Sequence, residues 1–194
     1  MRLLYARKKL PAGFRLKMRI DLMCNRKHLK RVVWLSFAAV LLCIAGGWLF
    51  RTSPAALLDS GFAMLLVRML VLAAGLALYV CAHEAIHGVL MWLISREKPR
   101  FGFKLMVAYA GSTAFFAKWA YLCIALAPVV LWGGVFAWLC SLVPDGWFWV
   151  VWGWQMANLS GAAGDLYVAC RILPLSSSVL IQDSGTAMMV YHQP

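Results

Sequence analysis

The sequence is poor in charge and poorer still in acids. Only 13% of its 194 residues are charged, seven of them acidic, and just two of those are glutamates. With 63% apolar residues and a mean hydropathy of +0.77, the composition is not that of a soluble domain. Six cysteines (Cys24, Cys43, Cys81, Cys123, Cys140 and Cys170) are scattered without a C-x-x-C pair, and five fall inside apolar runs. That excludes a zinc knuckle or a disulfide framework and leaves small packing residues. No internal repeat is evident. A cleavable signal peptide fits poorly too: the basic stretch before the first apolar run is too long, and the run has no clean A-x-A site. It reads as a retained anchor.

What is abundant is apolar sequence in long blocks. Four runs, roughly residues 32–50, 64–94, 119–143 and 147–173, are long enough to cross a hydrocarbon layer of about 30 Å. The net charge of +12 is unevenly placed. Eleven of the nineteen Lys and Arg lie in residues 1–31, against the single acid Asp21. Such a distribution orients a membrane protein and argues against a nucleic-acid partner. The loop 95–118 carries Arg96, Lys98, Arg100, Lys104 and Lys118, whereas the other connections carry Arg51, Asp59 and Asp145. Counting Arg68 as outer gives seventeen cations inside and two outside, and puts both termini in the cytoplasm.

The expected fold is therefore an all-α membrane protein, multi-pass in the cytoplasmic membrane, with about four transmembrane helices. Residues 1–31 form a basic cytoplasmic arm that lies on lipid headgroups or is disordered, residues 32–173 the membrane domain, and residues 174–194 a cytoplasmic tail. After the second span, Phe101, Phe103, Leu105, Val107 and Tyr109 alternate with small or polar residues. This suits either a short β-hairpin turning near Gly111 and Ser112 or an ordinary basic loop. The tail holds two apolar runs about a Q-D-S-G turn, a second candidate hairpin. Trp147, Trp149, Trp152 and Trp154 suit a headgroup belt. Arg68 can snorkel toward water, and Pro128 with Gly133 and Gly134 suits kinking and packing of the third span.

Against this background "CAHEAIHGVL", residues 81–90, holds half of the histidines and half of the glutamates within five positions. Residues four apart on a helix differ by about 40° in direction and 6 Å in height, so His83 and His87 present two imidazoles to one point. Two neutral imidazoles suit a zinc ion, and Glu84 beside the first can take a proton from an activated water. Ionisable side chains are costly inside a membrane and are retained for function. A third ligand is still needed. The candidates are His28, His192 and the acids, of which only Asp165 lies in another span. His87 precedes Ser95 by eight residues and Asp165 precedes Leu173 by eight, on spans running the same way. Both then sit roughly 12 Å from the cytoplasmic end. A structural aspartate bonded to Asn158 or Ser160 is the alternative.

"HEAIHG" followed in a later span by "NLSGAAGD" resembles the zincin peptidases of the DUF3267 family, and more distantly the site-2 proteases. The closer resemblance runs from about Ala82 through "FGFK", "AY" and "ALAP" to the tail. It implies His83, His87 and Asp165 as zinc ligands, Glu84 as general base, and Asn158 as a residue that holds the substrate or the oxyanion. Two features depart from the site-2 proteases: no proline follows Asn158, and the glycine precedes Asp165. The expected activity is hydrolysis of peptide bonds in a membrane-associated protein or peptide. The alternative is a non-catalytic scaffold or metal-dependent regulator that keeps the zinc residues.

Overall fold

The computed structural model describes residues 4–22, 24–50, 53–104 and 107–194. In chain order the elements are β1 (Ala6–Arg7), β2 (Arg15–Asp21), α1 (Arg26–Phe50), a 3-10 turn (Pro54–Leu57), α2 (Gly61–Ser95), β3 (Arg100–Lys104), β4 (Val107–Gly111), β5 (Phe115–Ala117), α3 (Lys118–Leu142), α4 (Asp145–Gly161), α5 (Ala163–Ile172), β6 (Leu180–Asp183) and β7 (Ala187–His192). They form two compact units. One comprises Met1–Val32, Ala82–Pro128 and Gly164–Pro194, the other Val33–Cys81 and Val129–Ala163.

Helix dominates, and α1, α2 and α3 are long and apolar enough to cross a membrane. The expectation of four such helices is corrected at the last one. The run 147–173 is broken at Ala162, whose N–H reaches back to both Asn158 O and Ser160 O. Gly161 and Gly164 flank the break, and glycine is the poorest helix former after proline. A shorter α5 then starts afresh. By contrast α2 stays unbroken for 35 residues, about 52 Å at 1.5 Å per residue. It stops where the Ser95 hydroxyl turns back to Met91 O and Arg96 adopts a left-handed φ of 58°, a common helix terminator.

The all-α expectation fails in the first unit, which is built on a five-stranded sheet in the order β1-β5-β6-β7-β2. The N-terminal arm supplies β1 and β2, and β2 pairs antiparallel with β7, with a register shift between Leu16 and Met18. The reason lies in "RLKMRID". Met18 and Ile20 point to the core while Arg15, Lys17 and Arg19 stay exposed, the period-two pattern of a half-buried strand. The tail hairpin forms as expected, β6 pairing with β7. Its turn needs Gly185 at φ +87°, where a Cβ would also strike the Tyr109 ring. Ile20, Phe116, Ile181 and Val190 from the sheet share a core with Met91 of α2, Tyr121 and Ile124 of α3, and Val168 and Ile172 of α5.

β3 and β4 form the other expected hairpin, from Arg100↔Gly111 to Lys104↔Val107. Its turn falls between Lys104 and Val107 rather than near Gly111 and Ser112. Leu105 lies outside the described residues, as does Arg51. The Ser112 N–H instead bonds Asp183 O at 2.7 Å.

The second unit is packed with aromatic rings around Tyr79, Phe136 and Phe148. Two of its tryptophans are tied to backbone carbonyls of other helices. Trp152 donates its indole N–H to Cys43 O at 2.8 Å and Trp154 to Leu72 O at 3.1 Å. Arg68 does not snorkel. It is buried, bonded to Ala56 O at 3.3 Å, Leu57 O at 2.5 Å and the Ser60 hydroxyl at 3.1 Å, and so caps the 3-10 turn.

Candidate metal centre

His83 and His87 stand one turn apart on α2, both about 7% exposed. The break at Ala162 places Asp165 in the first turn of α5, where free N–H groups and the helix dipole favour a carboxylate. These elements bring three donor atoms together. His83 Nε2 lies 3.2 Å from His87 Nε2, and Asp165 Oδ2 lies 3.3 Å from the first and 3.6 Å from the second.

The separations test whether an ion fits. Nitrogen and oxygen donors at about 2.0–2.2 Å from a tetrahedral ion must stand about 3.3–3.6 Å apart, close to the 3.2, 3.3 and 3.6 Å found. The donor chemistry agrees. His87 Nδ1 lies 2.9 Å from Ile124 O, and because a carbonyl only accepts, Nδ1 carries the proton. His87 Nε2 therefore turns a lone pair toward the cluster, the state a metal ligand needs. Among the described residues His83, His87 and Asp165 are the group that could hold a metal ion.

Glu84 is half-buried on the same turn, and its carboxylate accepts a hydrogen bond from the Ala110 backbone of β4. The hairpin and the general-base candidate are thus in contact. His28, weighed above as a third ligand, instead places Nδ1 2.7 Å from the Tyr167 hydroxyl, and His192 lies opposite Arg15 in the sheet. Asn158 belongs to the other unit. Fully buried, it accepts from the Tyr79 hydroxyl and donates to Val129 O, each at 3.1 Å.

The family model for DUF3267, described as "Putative zincin peptidase", matches residues 76–179, more than half of the chain. The chain belongs to this family. The match spans both histidines, Glu84, the β3–β4 hairpin and Asp165. No curated protein and no solved structure matches the chain.

Two neighbours of the site were not read from the sequence. One is the pair of backbone groups, Ile124 O and the Ala110 N–H, which carry no side-chain signal. The other is Asp183, one of the seven acids, which ends the apolar strand "LIQD". It is buried and accepts from the Tyr121 hydroxyl and the Gly185 N–H, each at 2.7 Å. Burial pushes its carboxyl up to about 6, outweighing those two bonds, which favour the ionised form. A lone carboxylate in an apolar strand was the available clue.

Proposed function

We propose that this chain is a membrane-embedded zinc metallopeptidase that hydrolyses peptide bonds of membrane-associated proteins, with His83, His87 and Asp165 as ligands and Glu84 as general base. The observation that carries the reading is the donor triangle of 3.2, 3.3 and 3.6 Å closed between α2 and α5. Bound zinc supplies Lewis acidity that acidifies a water and polarises a substrate carbonyl. Glu84 accepts the proton of the attacking water on its carboxylate and passes it to the leaving amine. The Ala110 N–H holds the Glu84 carboxylate while the Ile124 carbonyl fixes the His87 ring.

The membrane level of the site is supported by α2 itself. Exposed apolar residues continue past the ligands, with Val89 51%, Trp92 46% and Leu93 45% exposed. Such a surface suits lipid rather than water. The charge asymmetry supports cytoplasmic termini and a site toward that face.

A helical substrate hides its carbonyls, so an extended segment is required. Because the Ala110 N–H turns to Glu84, it points away from β3, and residue 108 shares that outer edge. Addition of a substrate strand there would bring an extended segment up to Glu84. Ala108→Pro removes an outward N–H while leaving the pairing with β3 in place, and is expected to reduce cleavage without loss of metal. Unchanged turnover would reject edge binding.

The main test is Glu84→Gln, co-reconstituted in liposomes with single-span model substrates and read by mass spectrometry. Zinc content should match the wild type while cleavage falls by about 10²–10⁴-fold. Continued cleavage by Glu84→Gln would defeat the hydrolase reading.

A further inference from the structure

Pro128 lies inside α3. In an α-helix the carbonyl of residue i accepts from the N–H of residue i+4, so the intrahelical donor for Ile124 O would be the N–H of residue 128. Proline has none. The carbonyl so released is the one that His87 Nδ1 meets at 2.9 Å. Ile124 is 1% exposed, and an orphaned carbonyl at such a place is costly. The needs of the two groups are reciprocal: the helix lacks a donor where the imidazole lacks an acceptor.

We propose that Pro128 is a positioning residue for the metal centre, by freeing the Ile124 carbonyl to hold His87 in the Nδ1-protonated tautomer with Nε2 directed at the ion. This rests on the metal-site reading above, and gives the proline a task beyond the kink expected from the sequence. Any other residue at 128 restores an N–H that competes for Ile124 O. The His87 ring then loses its acceptor, and part of the population swings or moves its proton to Nε2, the atom the metal requires.

The decisive feature is a pair of effects with opposite sign. Proline is destabilising in a helix interior, so Pro128→Ala is expected to raise the melting temperature of the full-length protein in detergent, by roughly 5 °C. Its zinc Kd, measured by chelator competition, is expected to rise about tenfold or more, as for other groups bonded to a ligand's second nitrogen. In the metal-free protein, ¹⁵N-histidine spectra should show His87 protonated at Nδ1 in the wild type and a tautomer mixture in Pro128→Ala. Pro128→Gly restores the same N–H but leaves the backbone free to bend. A proline that served only to kink the helix would tolerate glycine, whereas a proline that frees a carbonyl would not. Should Pro128→Ala fail to fold, Pro128→Gly is judged by the same affinity and tautomer criteria.

Wild-type zinc affinity in the variants, or uniform Nδ1 protonation in them, would overturn the inference. Failure of the underlying reading looks different: wild type would bind zinc no more tightly than His83→Ala.

Discussion

The two units bury polar groups by different means. In the unit holding α4, Arg68 and Asn158 are held by local partners. The guanidinium meets the carbonyls of Ala56 and Leu57 and the Ser60 hydroxyl, and the amide meets Tyr79 and Val129. Their partners are mostly backbone carbonyls, and the result is a pinned turn and pinned helices. In the sheet-bearing unit His83, His87 and Asp165 instead turn their donor atoms on one another, an arrangement that could hold a cation. A buried polar residue that meets only carbonyls or hydroxyls, as Lys118 also does in the sheet-bearing unit, serves packing. Several whose lone pairs converge on one point serve chemistry.

Asn158 offers the sharpest way to break this comparison, because the resemblance to site-2 proteases points to a substrate or oxyanion role while its bonds point to packing. Asn158→Leu strands a buried hydroxyl and a buried carbonyl and should cost about 3 kcal/mol of stability, with zinc content unchanged. Intact stability with collapsed cleavage would move Asn158 to the chemical side. Arg68→Met is expected to cost about 2 kcal/mol and to leave zinc content and cleavage per folded molecule at wild-type levels. Loss of metal in that variant would show that the division between packing and chemical groups is drawn in the wrong place.

A third expected effect, visible only in its pH dependence, concerns Asp183. Its folded-state value of about 6 lies above the unfolded carboxyl value, near 3.9. The stability it contributes is complete below about pH 4 and is lost as pH rises through about 6. Thermal melts of Asp183→Asn between pH 4 and 7 should therefore show a flatter pH dependence than wild type. An unchanged slope would remove Asp183 as its source.

Much of the centre was legible because its signals are side chains at helical spacing. H-E-x-x-H places two imidazoles on one face, and Asp165 was marked by its matching depth. The β3–β4 hairpin was legible from its alternation, but its turn was misplaced because Gly111 and Ser112 look like turn residues when they lead into a contact with Asp183. The sheet was hidden by charge: in "RLKMRID" the cations suggested a headgroup arm and masked the alternating Leu16, Met18 and Ile20. The broken last span was foreshadowed only by "GAAG", which suits close helix packing equally well. Pro128 was visible as a kink, but a kink says nothing of which carbonyl it frees or what that carbonyl then holds.

Zinc per chain in purified wild type, His83→Ala and Asp165→Ala tests the central claim most directly. The account predicts one equivalent in the wild type and almost none in either variant. A full equivalent retained by Asp165→Ala would contradict it.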